Sequence, residues 1–208
     1  MKQPGWPWPL LFCLALLTAC GHLRERSAEA PDGWTEQAAK QAALTSWYVQ
    51  GRLGVQSAHQ GGSFDVFWNQ QGERYQIRLI AAMGQGAFLI TGDNQSVSLQ
   101  DANGDIQTAS TADQLFTDSL GVDLPLENLH SWLRGLPAAG DSRLRWDQQG
   151  NLYIVEQGGW RVEMARYRNV DDLKLPQTFY LSRADQPELQ IRLLLAQWQL
   201  NDLPALTP

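Results

Sequence analysis

Residues 47–79 read WYVQGRLGVQSAHQGGSFDVFWNQQGERYQIRL, and this stretch decides the fold. Within it, apolar residues such as Val49 and Ile77 alternate with polar ones such as Gln50 and Arg78. A period of two is typical of strands that bury one face. Only hairpin-length gaps separate the alternating segments, and a parallel crossover needs about a dozen residues or more. The strands are therefore predicted to be antiparallel neighbours.

The same pattern continues through most of the chain. Short alternating segments recur between Ala87 and Thr108 and again between Ser142 and Leu200, separated by turns such as QQGN and ADQP. Counting these segments predicts a mainly β protein with a single antiparallel sheet of about eleven strands. A sheet of that size curves strongly, so we expect a curved sheet or partial barrel.

Helical periodicity appears before the first strand and again in the middle of the chain. Trp34 to Thr45 is predicted to be a short helix, and Thr111–Gln114 has the composition of a capping box. Pro125 suits the first turn of a further helix. The apolar residues of the two central helices are Leu115, Phe116, Leu126, Leu129, Trp132 and Leu133. Because apolar helices inserted in a sheet must bury their stripe, we expect them to close over its concave face as a lid.

The inward strand residues are predicted to lie beneath these helices. They are Val49, Leu53, Phe64, Val66, Trp68, Ile77 and Leu79. Each one taken alone is first of all a core residue. Together with the helices they would surround an apolar hollow, which suits acyl chains.

The first twenty residues predict a signal peptide that ends in a lipidation site. Leu10–Leu17 follows Lys2 and is far shorter than the roughly 20 apolar residues of a spanning helix. Leu17–Cys20 reads LTAC, which resembles the bacterial lipobox, where the cysteine is acylated and becomes the first residue of the mature protein. The alternative is an ordinary signal peptide with a chance cysteine.

Three segments follow: a signal peptide at 1–19, a lipidated N-terminus and flexible tether at 20–32, and one domain at 33–208. Residues 21–32 read GHLRERSAEAPD and contain few apolar groups, as tethers do. Gly21, rather than Asp, follows the cysteine. By resemblance to the lipoprotein sorting rule, this predicts an outer-membrane anchor facing the periplasm.

Composition argues against several classes of function. The chain has 16 Lys and Arg against 22 Asp and Glu; removal of 1–19 leaves 15 against 22, a net charge of −7. An acidic body disfavours nucleic acid as a partner. The histidines are scattered and both cysteines precede residue 21, so no metal site and no disulfide framework are expected in the body. No nucleotide-binding or hydrolase motif occurs, so neither a cofactor nor an enzymatic activity is predicted.

The segment Ala81–Gly86 joins two apolar strands and contains one large apolar residue, Met83, followed by Gly84. Two interpretations are open. Met83 either folds back as a cap on the core or forms an exposed tip that contacts lipid.

Several of these stretches together resemble the LolB family of outer-membrane lipoprotein receptors. They are the lipobox ending at Cys20, Tyr48–Gly54, Phe64–Trp68, Pro125–Pro137 and the closing strand with Ile191, Leu193 and Trp198. The likeness runs through essentially the whole chain in order. It implies a half-barrel of eleven antiparallel strands with a helical lid, shared with the periplasmic carrier LolA. Met83 and Gly84 occupy the place of the family's membrane-targeting loop, where an apolar residue, usually Leu, precedes Gly.

The resemblance also implies an activity. The chain would accept acylated lipoproteins from a LolA-like periplasmic carrier and insert them into the inner leaflet of the outer membrane, in contact with phospholipid. We expect a monomer. One alternative is a structural outer-membrane lipoprotein, such as an accessory of β-barrel assembly, whose sheet is packed solid. Another is a lipid-modifying enzyme, although the chain offers no catalytic constellation.

Overall fold

The structure is a computed structural model of the chain. It describes residues 27–58, 61–82, 86–116 and 124–206 in full, and residues 117–120 as backbone.

Three helices lie within the described residues, each close to its predicted place. They are α1 (Trp34–Ala43), α2 (Ala112–Leu120) and α3 (Leu126–Leu133). At the start of α2 the Thr111 hydroxyl accepts a long hydrogen bond of 3.4 Å from the Gln114 N–H, which is one half of the predicted capping box. Helix α1 stops two residues before the predicted end, because Leu44 is already extended.

The described strands number thirteen. They are β1 (Ser46–Gln56), β2 (Gly61–Gln71), β3 (Arg74–Ala81), β4 (Ala87–Gly92), β5 (Val97–Gln100), β6 (Ile106–Ala109), β7 (Arg143–Trp146), β8 (Leu152–Gln157), β9 (Trp160–Ala165), β10 (Arg168–Val170), β11 (Leu173–Leu175), β12 (Thr178–Arg183) and β13 (Gln190–Gln199). Eleven of them form one sheet in the order β6-β5-β4-β3-β2-β1-β13-β12-β9-β8-β7.

Every neighbouring pair in this sheet is antiparallel, and its edge strands β6 and β7 are not paired with each other. The sheet is therefore open, and the prediction of one antiparallel sheet of about eleven strands is confirmed. The first strand, β1, pairs with the last, β13, so the two halves of the chain meet in the middle of the sheet.

The pairing of β1 with β13 contains a bulge at Gly51. The register shifts by one residue between Gln50 and Gly51. A Cβ atom on Gly51 would lie 2.2 Å from the carbonyl oxygen of Leu194. The two backbones thus approach more closely than any residue except glycine allows.

One predicted strand ends earlier than expected. The segment Trp160–Arg168 reads as one strand in the sequence. In the structure β9 stops at Ala165, where Arg166 takes a positive φ of 55° and redirects the chain. The chain then forms a separate two-stranded hairpin of β10 and β11, which the prediction missed. Asp171 lies in the turn of that hairpin with φ 52°.

The described end of the predicted tether lies against edge strand β7. Ser27 and Trp146 form an antiparallel bridge, with N–H···O distances of 3.1 and 2.9 Å. The indole of Trp34 packs edge-on against that of Trp146, with centroids 5.7 Å apart. No helix among the described residues has the length and apolar character needed to cross a membrane.

Candidate functional site

The seven strand residues predicted to face a hollow share one face of the sheet. Residues paired directly across antiparallel strands point to the same side. Val49 pairs with Trp68, which pairs with Ile77; Leu53 pairs with Phe64; and Val66 pairs with Leu79. All of them are buried except Phe64, which is partly buried.

Helices α2 and α3, which we call the lid helices, cover this same face. Helix α2 contacts β5 and β6 and packs against α3. The six predicted lid residues, from Leu115 to Leu133, belong to the same buried cluster as the strand residues beneath them. The side chain of Asp113 in α2 accepts a 2.9 Å hydrogen bond from the N–H of Leu126, the first residue of α3. This bond caps a donor that a helix start otherwise leaves unpaired.

The middle of α3 reaches the centre of the sheet through His130. Its imidazole stacks on Trp47, with centroids 5.9 Å apart and rings inclined by 19°. Trp47 also packs against Trp68 and Trp198, at centroid distances of 5.2 and 5.4 Å. Burial, with a contribution from the nearby Arg134 charge, lowers the pKa of His130 to about 4. The imidazole is therefore neutral at pH 7.

The C-terminal end of α3 is tied to α1 by Arg134. This buried guanidinium donates to the carbonyl oxygens of Ala42 and Leu44 at 3.3 and 3.1 Å, and to that of His130 at 3.2 Å. Its described partners are carbonyl groups at the ends of two helices, where the helix dipole is negative. Burial lowers the pKa of Arg134.

Beyond Arg134 the chain turns at Gly135, which has φ 78°. A Cβ atom there would lie 3.2 Å from Gln41 and 3.3 Å from the Tyr167 hydroxyl. That hydroxyl donates a short 2.6 Å bond to the carbonyl of Leu152. The glycine therefore lets the segment after the lid pack between α1 and the sheet.

Two open grooves lie on the surface of the described part of the chain, and one of them borders the lid helices. One of about 820 Å³ lies between the β8–β9 and β12–β13 turns, and its lining includes Gln157, Trp160, Arg183 and Pro187. The other, of about 470 Å³, borders the start of α3 and includes Tyr75, Glu127 and His130. Burial together with nearby carboxylates raises the pKa of Tyr75 to about 12, so this phenol stays protonated.

The described side chains on this face of the sheet are mainly apolar and buried. Among the described residues, no group of three or more His, Cys, Asp or Glu is placed to hold a metal ion. The polar groups that surround the lid helices hold backbone and side chains in place, and the apolar groups are buried against one another in one cluster.

The sequence comparison decides the family. The sequence model of the family described as "Outer membrane lipoprotein LolB" matches residues 45–198. The chain belongs to the LolB family. Curated relatives named outer-membrane lipoprotein LolB include one from Pseudomonas savastanoi pv. phaseolicola, 35% identical over 91% of this chain and 94% of the relative. Another, from Stutzerimonas stutzeri, is 36% identical over 92% of this chain and 94% of the relative.

Solved structures show the same architecture. A LolA superfamily protein from Nitrosomonas europaea superposes with a TM-score of 0.50 at 12% identity, covering 81% of this chain and 94% of that one. A DUF1329 family protein from Desulfovibrio piger gives a TM-score of 0.52 at 8% identity, covering 80% of this chain and 91% of that one. At such identities the likeness shows the fold alone.

Some predicted site residues of this LolB-family chain lie outside the described residues. They are the lipidation site Cys20 and the loop residues Met83 and Gly84. The two residues that flank the loop are described: the N–H of Ala81 donates a 2.9 Å bond to the carbonyl of Gly86. This bond joins the ends of β3 and β4 at the base of the connection.

Sequence reasoning missed the polar residues that hold the lid helices. Arg134 and Gln157 bond to groups 90 and 25 residues away in sequence, at Leu44 and Trp132. No local pattern marks such partners. The one available signal was Arg134 itself, a charged residue within the otherwise apolar Trp132–Pro137 stretch.

Proposed function

We propose that this protein is an outer-membrane lipoprotein receptor that accepts acylated lipoproteins from a LolA-like periplasmic carrier and inserts them into the inner leaflet of the outer membrane. The observation that carries the proposal is membership of the LolB family over residues 45–198, with relatives named outer-membrane lipoprotein LolB matched over more than 90% of the chain. The transfer makes and breaks no covalent bond, so it requires no catalytic residue or cofactor.

The helix-bearing face of the sheet is the proposed acyl site. Its strand residues, such as Val49 and Trp68, and its lid residues, such as Leu129 and Trp132, form one apolar cluster. Each methylene buried there contributes about 0.8 kcal/mol. A bilayer buries the same chains completely, so release into the membrane runs downhill without an energy source.

The anchor is proposed to be Cys20, acylated after removal of residues 1–19, with residues 20–32 joining it to the domain of 33–208. Several acyl chains on one cysteine hold a protein to a membrane stably. Gly21 after the cysteine supports an outer-membrane destination. The protein is proposed to act as a monomer.

The connection between β3 and β4 is the proposed membrane-contact loop. Met83 is a large, flexible, apolar side chain, and Gly84 follows it. Methionine adapts to irregular apolar surroundings such as the edge of a bilayer. The role of this loop is to bring the loaded receptor against phospholipid.

One observation favours a second candidate, a structural lipoprotein without a ligand site. Trp132 and Leu133 are fully buried, and so is most of the sheet face beneath the lid helices. A core without a ligand site would show the same burial of these residues. Transfer of cargo separates the two candidates, because a structural lipoprotein accepts none.

The test is a two-step transfer assay. A carrier loaded with an acylated lipoprotein is mixed with the receptor lacking residues 1–20, and liposomes are then added. We expect the parent to accept the lipoprotein and deliver it. A parent that accepts nothing supports the structural candidate instead.

The same assay examines the loop. Met83→Glu is expected to accept cargo normally and fail to deliver it, because a carboxylate resists entry into lipid. Met83→Leu is the matched control and should behave as the parent does. Delivery by Met83→Glu at the parent's rate, or a large fall in its melting temperature, would show that Met83 does not act as a lipid-contacting tip.

A further inference from the structure

Gln157 is a buried polar side chain at the end of a strand of the large sheet. It is the last residue of β8, only 6% of its surface is exposed, and Gly158 and Gly159 follow it in the turn to β9. A buried amide is costly unless both its donor and its acceptor are satisfied.

The partners of this amide all lie in α3 or in the segment just after it. The Gln157 Oε1 accepts from the indole N–H of Trp132 at 3.2 Å and from the N–H of Ala138 at 2.9 Å. The Nε2 donates to the carbonyls of Ala138 and Ala139 at 2.9 and 3.2 Å. One side chain on the sheet therefore binds both a lid side chain and the backbone that follows the lid.

Two other polar contacts join α3 to the other two helices. Its start is joined to α2 through Asp113, and its end is joined to the carbonyls of α1 through Arg134. Among these contacts, the one made by Gln157 is carried by a strand of the eleven-stranded sheet. It is thus the polar attachment between α3 and the surface that α3 covers.

This attachment must break before an acyl chain can spread over the sheet. Trp132 and Leu133 are fully buried against the apolar cluster, so a chain can reach that cluster only if α3 moves. Movement of α3 separates the Trp132 indole N–H from the Gln157 Oε1 and leaves this N–H without a partner, while Gln157 keeps its bonds to the backbone of Ala138 and Ala139. The closed arrangement is favoured by that cost.

Gln157 also borders one of the surface grooves. It lines the groove of about 820 Å³ at the rim, together with Trp160 and Pro187.

We propose that Gln157 is a positioning residue that latches α3 over the sheet, acts through Trp132, and sets how often the lid helices open to acyl chains. This inference rests on the proposed function for what enters. The latch itself is a property of the closed protein and can be measured without cargo.

The direct test is amide hydrogen exchange of the full-length lipidated protein in phospholipid nanodiscs. Gln157→Met keeps the side-chain length and removes the hydrogen bonds. Exchange within α3 should become about tenfold faster, since the bond from Trp132 and the bonds to the Ala138–Ala139 backbone just after α3 are lost together. Amides of β1 and β2 should exchange as in the parent.

Gln190→Met is the matched control. Gln190 lines the same groove, but its amide donates within its own turn, to the carbonyl of Pro187 at 3.0 Å. Its replacement should leave exchange in α3 unchanged. Unchanged α3 exchange in Gln157→Met, or equal acceleration of β1 and β2, would overturn the latch, since the second result reports general destabilisation.

A second variant keeps the test decisive if Gln157→Met fails to fold. Trp132→Phe removes only the indole N–H from the pair and should speed α3 exchange by about threefold. With both variants available, the combination should accelerate exchange by less than the product of the two single effects, because the two substitutions remove a shared bond. Additive effects would mean that the bond between them does not hold α3.

Cargo acceptance then separates this inference from the proposed function. If the parent accepts acylated lipoprotein, Gln157→Met should accept it faster, because a larger fraction of molecules is open. If the parent accepts none while α3 exchange responds as expected, the latch stands and the proposed function fails. Normal acceptance with no exchange response rejects the latch alone.

Discussion

The imidazole of His130 stacks on the indole of Trp47, with the two rings inclined by 19° and their centroids 5.9 Å apart. This contact joins the middle of α3 to the first strand, which lies at the centre of the eleven-stranded sheet. It also places a titratable ring against Trp47, which itself packs against Trp68 and Trp198, and in this apolar setting the charged form of the ring is poorly solvated.

The first prediction concerns the pH dependence of stability. The pKa of His130 falls from 6.5 to about 4 on folding, so the unfolded chain binds the extra proton between these values. Above pH 6.5 the imidazole is neutral in both states and does not reduce the unfolding free energy. As the pH falls from 6.5 towards 4, the unfolding free energy decreases, because the unfolded chain takes up a proton that the folded chain does not. We expect a loss on the order of 2 kcal/mol in unfolding free energy, after allowance for partial exposure.

Urea unfolding between pH 4 and 7 measures this loss, with His130→Gln as the comparison. The variant should lack the decline, whatever its absolute stability. Because the pKa values of Asp93 and Asp185 are lowered by hydrogen bonds, those carboxylates lose their contributions at more acidic pH. Parallel curves for parent and variant would contradict the prediction.

The second prediction concerns the bulge at Gly51. Gly51→Ala should reduce the unfolding free energy by about 3 kcal/mol, because the added methyl group would press on the carbonyl of Leu194 from 2.2 Å. Gly54→Ala in the same strand is the control, since its Cβ would lie 3.9 Å from the nearest carbonyl oxygen. Chemical denaturation of both variants checks this. Equal stability of the two would show that the β1–β13 pairing relaxes around the methyl group.

The third prediction concerns Trp132. Its replacement by Ala should cost about 3–5 kcal/mol, because the indole is fully buried, and should lower lipoprotein acceptance per folded molecule. Tyr180→Ala is the control: this exposed aromatic on β12 lies under Arg192 and should cost less than about 1 kcal/mol. Loss of stability with unchanged acceptance per folded molecule would assign Trp132 to the core alone.

The fourth prediction concerns the anchor. The mature protein should begin at an acylated Cys20, and mass spectrometry of its N-terminal peptide reads this directly. Replacing Cys20 should release a folded domain into the periplasm. An unmodified peptide that begins at another residue would contradict the prediction.

Local sequence patterns were enough to predict the antiparallel strands of the large sheet, their approximate number and the places of the helices. These features follow from local periodicity, such as the alternation from Trp47 to Leu79, and from apolar stripes such as Leu126 to Leu133. Burial of one face imposes the period, so the pattern is visible within a few neighbouring residues. The resemblance to the LolB family rests on stretches of the same kind.

The tertiary structure alone decided which distant groups meet. The pairing of β1 with β13, the end of β9 at Arg166, and the bond from Gln157 to Trp132 each depend on residues that are far apart in the chain or on a single turn. Glutamine, arginine and aspartate read as solvated residues when taken one by one. They hold the lid helices here because folding places their polar atoms where a buried carbonyl or N–H would otherwise lack a partner.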